Sequence, residues 1–471
     1  MSDRDLPPSK TDAISIVGAG IFGLSTAIHL AQRGYKSVTI FDRQPYEETL
    51  YSYTQGCDAA SAAYGPQKVY QDLSLEAIEC WKSWSEELLH DDAAIPPGMI
   101  ASDRIWINNG DLSCTDENVL PPFEKATIES MEQSGYPDTQ LVNNNAHHLA
   151  LAKDKGLAPH MQPFAKKLLA VLDTTGGVTL ADKACRFAMH KAKRLGVQFI
   201  LDQTAGKVIS TIQDSTGRVL GISTADGKIH QAALTILACG GWTPTLVPEL
   251  DGLAETTAGS VVIFKLPENL RERFSPSRFP AWSFKITDGA EAGIYGFPVD
   301  ENGLLKIGYR GTKYTNPKVQ SDGHERSVPV TRWSENEQLT KIPAQAVKVI
   351  RRFTNEYMPE LASLDIWMTR LCWYTDSFDN HFIIDHVPNR RGLMVATAGS
   401  GHAFKYLPNI GKWIVDIIEG NGLDRAAVKS WSWRSPKEGE TPLNKLMEGS
   451  SGEKALSNVK LVSGDSVASK L

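Results

Sequence analysis

The sequence predicts an α/β fold in which a parallel-sheet domain is interleaved with a mostly antiparallel α+β domain. Three observations carry this. A β-branched run near the N-terminus opens directly into a glycine-rich turn and an amphipathic stretch. A second unit of helix and apolar strands occupies 176–242. Segments 95–165 and 255–365 instead alternate short strand-like runs with turns, the texture of an antiparallel sheet.

Ala13-Ile-Ser-Ile-Val17 reads as a buried parallel strand, and Gly18-Ala-Gly20-Ile21-Phe22-Gly23 follows at once. Leu24, Ala27, Ile28 and Ala31 then recur at helical spacing until Gly34. A second strand, Ser37-Val-Thr-Ile-Phe41, ends in Asp42. Gly18 permits the tight turn, Gly20 lets a pyrophosphate approach the backbone, and Gly23 allows close packing of helix on strand. The phosphate charge is expected at the helix N-terminus, where N–H groups point outward. Asp42 stands where it can accept hydrogen bonds from ribose hydroxyls. Strand, glycines, helix, strand and acid in this order specify a Rossmann-type dinucleotide site.

A site this near the start of a chain of 471 residues favours FAD over NAD. Leu234-Thr-Ile-Leu-Ala238, followed by Cys239-Gly240-Gly241-Trp242, supports it as a strand returning to the nucleotide domain. Before it, 180–195 has helical periodicity, 198–201 reads as a strand, and 207–211 with 219–223 as a hairpin. Strand-like runs at 104–108, 260–264, 293–298 and 303–309, with a helical stretch over 339–357, build the second domain. The expected boundaries are 11–95, 166–254 and 366–435 for a discontinuous FAD-binding domain. Segments 96–165 and 255–365 form a substrate domain, and 436–471 a flexible tail.

Composition narrows the function. Lys and Arg number 49 and Asp and Glu 55, a net charge of −6. That is a poor surface for nucleic acid or an anionic membrane, and it is compatible with a monomer. No apolar run approaches the roughly 20 residues that span a bilayer, and residues 1–10 lack a signal-peptide core. Six cysteines without a Cys-x-x-Cys pair exclude a zinc ribbon, and no metal site is expected. The last residues, Ser469-Lys470-Leu471, read as the receptor-recognised peroxisomal address. The expectation is a peroxisomal location, with an import receptor as partner.

Four motifs together resemble the FAD-dependent amine oxidases that include monomeric sarcosine oxidase, L-pipecolate oxidase, saccharopine oxidase and fructosyl amino acid oxidase (amadoriase). They are the glycine turn at 18–24, Gly303-Leu-Leu-Lys-Ile-Gly-Tyr309, Arg370-Leu-Cys-Trp-Tyr-Thr-Asp376 with Phe382-Ile-Ile-Asp385, and Gly399-Ser-Gly-His-Ala-Phe-Lys-Tyr406. Gln55-Gly-Cys-Asp-Ala-Ala-Ser61 and Tyr70-Gln-Asp-Leu73 lean toward the fungal amadoriase-like branch. The resemblance implies a covalent link from Cys372 to the 8α-methyl of FAD. It makes Lys306 the lysine beside flavin N5 that helps oxygen accept electrons, and Lys405 the holder of a substrate carboxylate. His402 joins them as a catalytic or positioning residue. The cofactor shell it implies comprises Gly18, Gly20, Ile21, Phe22, Gly23, Asp42, Arg43, Ser61, Val208, Gly241, Trp242, Cys372, Gly401, Phe404 and Lys405.

The sequence departs from the family at one loop. Relatives carry basic residues there, but Cys57-Asp-Ala-Ala-Ser-Ala-Ala-Tyr-Gly65 has none, and no Lys or Arg occurs between Arg43 and Lys68. The implied activity is oxidation of a secondary amine, an N-methyl, cyclic imino or fructosyl amino acid, to imine and hydrogen peroxide. Rival readings are a fungal natural-product oxidase whose imine is captured by ring closure, a redox-impaired flavin-binding protein, and an NAD-dependent dehydrogenase.

Overall fold

Two sheets of opposite character organise the chain, a computed structural model of which describes residues 6–44, 57–284, 293–331, 334, 340–437, 439 and 441–464. In the first, β1 (Ala13–Val17) lies between β2 (Ser37–Asp42) and the Leu234–Leu237 strand, parallel to both. Gln198–Leu201 extends the sheet beyond β2, and Leu393–Thr397 with Ile383–His386 extends it on the other side. α1 (Ile21–Gln32) connects β1 to β2. Its buried Leu24, Ala27 and Ile28 join one core with Ile16, Ile40, Ile236 and Ile414.

The second sheet has eight strands. Its long strands are β3 (Ala254–Lys265), β4 (Leu304–Tyr314) and β5 (Ile366–Ser377), with β3 pairing antiparallel to both others. α2 (Ala344–Tyr357) covers one face. There Val262, Phe264, Leu305, Ile307 and Tyr309 pack with Trp282 and Phe353, whose rings stack at 4.9 Å. Side chains alternate along a strand, so the residues between these point to the other face, toward the first domain.

The structure redraws several expectations. Leu169–Asp173 and β5 belong to the large antiparallel sheet, so 166–175 and 366–377 leave the parallel-sheet domain. The apolar Leu169–Asp173 and the mixed Ile366–Ser377 both read as strands that either sheet could take; pairing partners decide. The 104–108 run shortens to Trp106–Ile107, in a small sheet with Cys57–Ala60 and Gly177–Leu180. The Lys68–His90 helix had no counterpart in the sequence reading.

The tail is not free over its described part. Leu461–Val462 pairs with Ile342–Pro343, Ala455 and Leu456 are buried, and Asn444 donates to Ser377 O at 2.6 Å. A segment poor in aromatics docks here through backbone pairing and a few small apolar groups. Ser469, Lys470 and Leu471 lie outside the described residues. No described helix is long and apolar enough to cross a membrane.

This docking touches Glu255 of β3, which is buried and accepts from Met447 N at 3.0 Å. Burial, reinforced by Glu448 and Asp376, pushes its carboxyl from 4.5 up to about 7. The folded state therefore holds this proton more tightly than the unfolded chain. The associated stability is complete below about pH 4.5 and lost as pH rises through about 7. Glu255→Gln keeps the acceptor without the charge. Urea unfolding should show it about 3 kcal/mol more stable than wild type at pH 8, with the difference vanishing below about pH 4.5.

Candidate active site

The glycine turn builds one end of the site. Gly18 adopts φ +108°, and a Cβ on Gly23 would fall 1.9 Å from Gly18 O. Gly20 differs: no heavy atom lies within 4 Å of where its Cβ would sit. It caps α1 without a side-chain hydrogen bond, leaving an open cradle against a bare helix N-terminus. Asp42 stands beside the turn, accepting from Ala19 N at 2.8 Å and Gln44 N at 2.9 Å, and burial raises its carboxyl. The Arg43 guanidinium lies 4.5 Å over the Trp242 ring. Gly241 packs against Thr256 and Pro329, and Val208 sits half-buried against the core cluster that holds Val17 and Phe41. Cradle, N-terminus and acid fit a dinucleotide.

The other end is the free face of the antiparallel sheet. Lys306, Gly308 and Arg310 alternate along β4 onto this face. Register aligns Lys306 with Ile263 and Gly308 with Val261 on β3, while Cys372 of β5 pairs with Gly259. Cys372 is half-buried beside Val261, Ile263 and Leu304. Lys306 Nζ lies 4.7 Å over the Phe297 ring. A Cβ on Gly308 would fall 2.1 Å from Tyr295, so the missing side chain lets that ring lie across the strand. Tyr295 and Tyr374 hydroxyls meet at 3.2 Å. Burial, then Cys372, pushes the Tyr374 phenol well above its ordinary value. Lys313 donates to Asp376 at 2.7 Å, and Thr257 Oγ1 donates to the same carboxylate oxygen.

A strained turn faces this sheet. Ala398, Ser400 and Gly401 have φ of +58°, +46° and +76°, and Ser400 N donates to Thr375 O at 2.9 Å. Arg310 Nη1 donates to Gly401 O at 3.2 Å. His402 Nε2 lies 3.0 Å from the Asn380 carbonyl, which can only accept, so that nitrogen carries the proton. Nδ1 then accepts from Tyr64 Oη at 3.1 Å. Burial pushes His402 down to about 3, with the charges of Lys405 and Arg310 acting the same way. It is neutral, with both nitrogens engaged, which suits positioning more than proton exchange.

Lys405 Nζ donates to Ser61 O at 3.2 Å and lies 4.8 Å over the Tyr64 ring. Ser61 and Ala62 are themselves held by Asp173, through Ser61 Oγ at 2.9 Å and Ala62 N at 3.0 Å. Phe404, half-buried, packs on the first core.

The expected residues thus form two groups. Gly18, Gly20, Gly23, Ile21, Asp42, Arg43, Val208, Gly241 and Trp242 lie at the nucleotide end. Ser61, Lys306, Cys372, Gly401, His402, Phe404 and Lys405 lie at the sheet end. Phe22 joins them, edge-on to Phe382 at 5.6 Å and near Gly399. Sequence reasoning passed over Arg310, Tyr64, Tyr295, Tyr374 and the Lys313–Asp376 pair. Arg310 had a signal: it stands four residues beyond Lys306 in one strand, an even spacing that puts both on one face. No group of His, Cys, Asp or Glu among the described residues could hold a metal ion.

Residues 13–417 match the model of the FAD dependent oxidoreductase family. The chain belongs to this family. L-saccharopine oxidase of Schizosaccharomyces pombe is 27% identical over 442 residues, covering 89% of this chain and 93% of that protein. Peroxisomal sarcosine oxidase of Mus musculus is 26% identical over 419 residues, covering 86% and 91%. The solved fructosamine oxidase of Aspergillus fumigatus (Amadoriase II) superposes with a TM-score of 0.70 at 26% identity, over 90% of each chain. The resemblance read from the four motifs therefore stands, and family membership sets the NAD-dehydrogenase reading aside.

An FAD dependent oxidoreductase with an open cradle at Gly20 makes a discriminating test. Gly20→Val adds bulk only into that cradle, at an ordinary backbone conformation. Val is a poorer N-cap than Gly, so the cofactor-free variant should lose about 1 kcal/mol relative to cofactor-free wild type, yet fold and purify colourless where wild type is yellow.

Proposed function

We propose that this enzyme oxidises a secondary amine of the N-substituted amino acid class to an imine, with oxygen leaving as hydrogen peroxide. One observation carries the reading. The sheet face bearing Lys306 and Cys372 meets the 398–405 turn, and Lys405 stands beside it with no carboxylate partner among the described residues. The three relatives above support it, each named as an oxidase of an amine or amino acid.

FAD, when bound, supplies the two-electron acceptor for the amine and the route of those electrons to oxygen. The chain's residues do the rest. Gly20, the α1 N-terminus and Asp42 hold the dinucleotide end, and Cys372 is the point of covalent attachment. Lys405 holds the substrate carboxylate and so orients the α-carbon. Lys306 places positive charge where negative charge develops on oxygen. Neutral His402, fixed by Asn380 and Tyr64, keeps the turn and Lys405 in place. The Tyr374, Tyr295 and Phe297 rings exclude water.

Two outcomes follow. Addition of N-methyl amino acids under argon should bleach the yellow protein, and air should restore the colour with one peroxide per imine. A protein that no secondary amine bleaches is instead the redox-impaired flavoprotein. Lys306→Met should slow recovery in air by about 100-fold or more, far more than it slows bleaching. In acid precipitation, colour should stay in the wild-type pellet and pass to the supernatant for Cys372→Ser.

A further inference from the structure

We propose that Arg310 is a second anion-binding group of the substrate site, and that the amine oxidised here carries two carboxylates. The proposal rests on the amine-oxidase reading above and names its substrate class.

The strand places Arg310 there. It shares the polar face of β4 with Lys306 and Gly308, and it reaches the strained turn through Nη1 and Gly401 O at 3.2 Å. Its guanidinium stands 5.8 Å from the centre of the Tyr295 ring. A guanidinium has five N–H donors in a fixed fork. The described residues give this one a single carbonyl and no carboxylate.

The contrast with Lys313 is informative. Three residues further along the same strand, that ammonium is matched by the buried carboxylate of Asp376 at 2.7 Å. The sheet neutralises one inward cation and leaves its neighbour without a carboxylate among the described residues. Lys405 is in the same position as Arg310: a carbonyl and an aromatic face, with no carboxylate among the described residues. His402 follows Gly401, which Arg310 contacts, and bonds Tyr64, whose ring Lys405 overlies, and as a neutral imidazole it offsets neither charge. The depression of His402 by both neighbours agrees with their closeness.

Two half-buried cations that no described carboxylate matches repel each other, and their desolvation is offset only when an anion arrives. A single carboxylate satisfies the Lys405 point charge. The Arg310 fork suits a second, bidentate carboxylate, held by two parallel N–H···O bonds. A monocarboxylate such as an N-methyl amino acid would leave one of the cations unserved. The matching substrate is an amino acid whose side chain or N-substituent ends in a carboxylate.

The test uses the flavin-loaded enzyme and non-reactive probes, so that it does not require turnover. Glutarate and butyrate are titrated against the visible flavin spectrum of wild type, Arg310→Gln and Arg310→Lys. Wild type should bind glutarate at least about tenfold more tightly than butyrate. Arg310→Gln should abolish that preference, chiefly through weaker glutarate binding, and Arg310→Lys should keep part of it. Retention of flavin in all three confirms folded protein. Equal affinity of wild type for the two acids overturns the proposal, as does an equal loss of both in Arg310→Gln.

A parallel argon experiment compares N-methyl with N-carboxyalkyl amino acids. Bleaching by N-methyl amino acids without a glutarate preference leaves the oxidase reading and removes the second anion site. A glutarate preference without bleaching by any amine does the reverse.

Discussion

The site depends on the alternation of side chains along Leu304–Tyr314. Leu305, Ile307 and Tyr309 are locked into the core beneath Ala344–Tyr357, so Lys306, Gly308 and Arg310 face the other domain. A slip of one residue would exchange the two sets. It would drive an ammonium and a guanidinium against Trp282 and Phe353, where an unpaired charge costs several kcal/mol or more. The register is therefore fixed by hydrophobic packing on the side of the sheet that does no chemistry. Ala254–Lys265 passes that register to Ile366–Ser377, and Cys372 inherits its position through its pairing with Gly259.

The opposing wall is held by a different kind of force. Ala398 and Ser400 adopt left-handed backbone, at roughly 1 to 2 kcal/mol each. Hydrogen bonds to Thr375 and Ser377 tie this turn to the strand that carries Cys372. A carboxylate performs the same task for the 61–65 loop: Asp173 holds Ser61 and Ala62, and Ser61 O receives Lys405. The loop that lacks basic residues thus contributes backbone acceptors and the Tyr64 ring. The site's cations come from the sheet and the turn.

The nucleotide half was legible in the sequence because its signals are local. Strand, glycine turn, helix and acid follow one another within 30 residues, and each glycine's task can be stated from its neighbours in the chain. The sheet half was legible only in part. Lys306 and Cys372 entered through family resemblance, because their setting is made by pairing with residues 43 and 113 positions away, Ile263 and Gly259. Tyr295 and Tyr374 carry no sequence signal, since what fits them is the absence of side chains at Gly308 and Gly259 on neighbouring strands. The tail misled for a related reason. Its composition resembles a linker, yet a two-residue strand and the buried Ala455 and Leu456 suffice to dock it.

Arg310 and Lys405, which no described carboxylate matches, also bear on the proposed chemistry. Oxidation needs the amine lone pair, so the substrate must react as a neutral amine although most secondary amines are protonated at pH 7. Positive charge nearby disfavours the ammonium form, as like charges do for any titrating group. Arg310 and Lys405 act in this sense on His402, which is held down to about 3 with burial as the larger cause. A substrate amine seated beside them would feel the same field while its carboxylates are drawn in by it. Anion binding and amine deprotonation are then two effects of one arrangement of charge. A chain whose net charge is −6 gathers these cations where the opposite sign is useful.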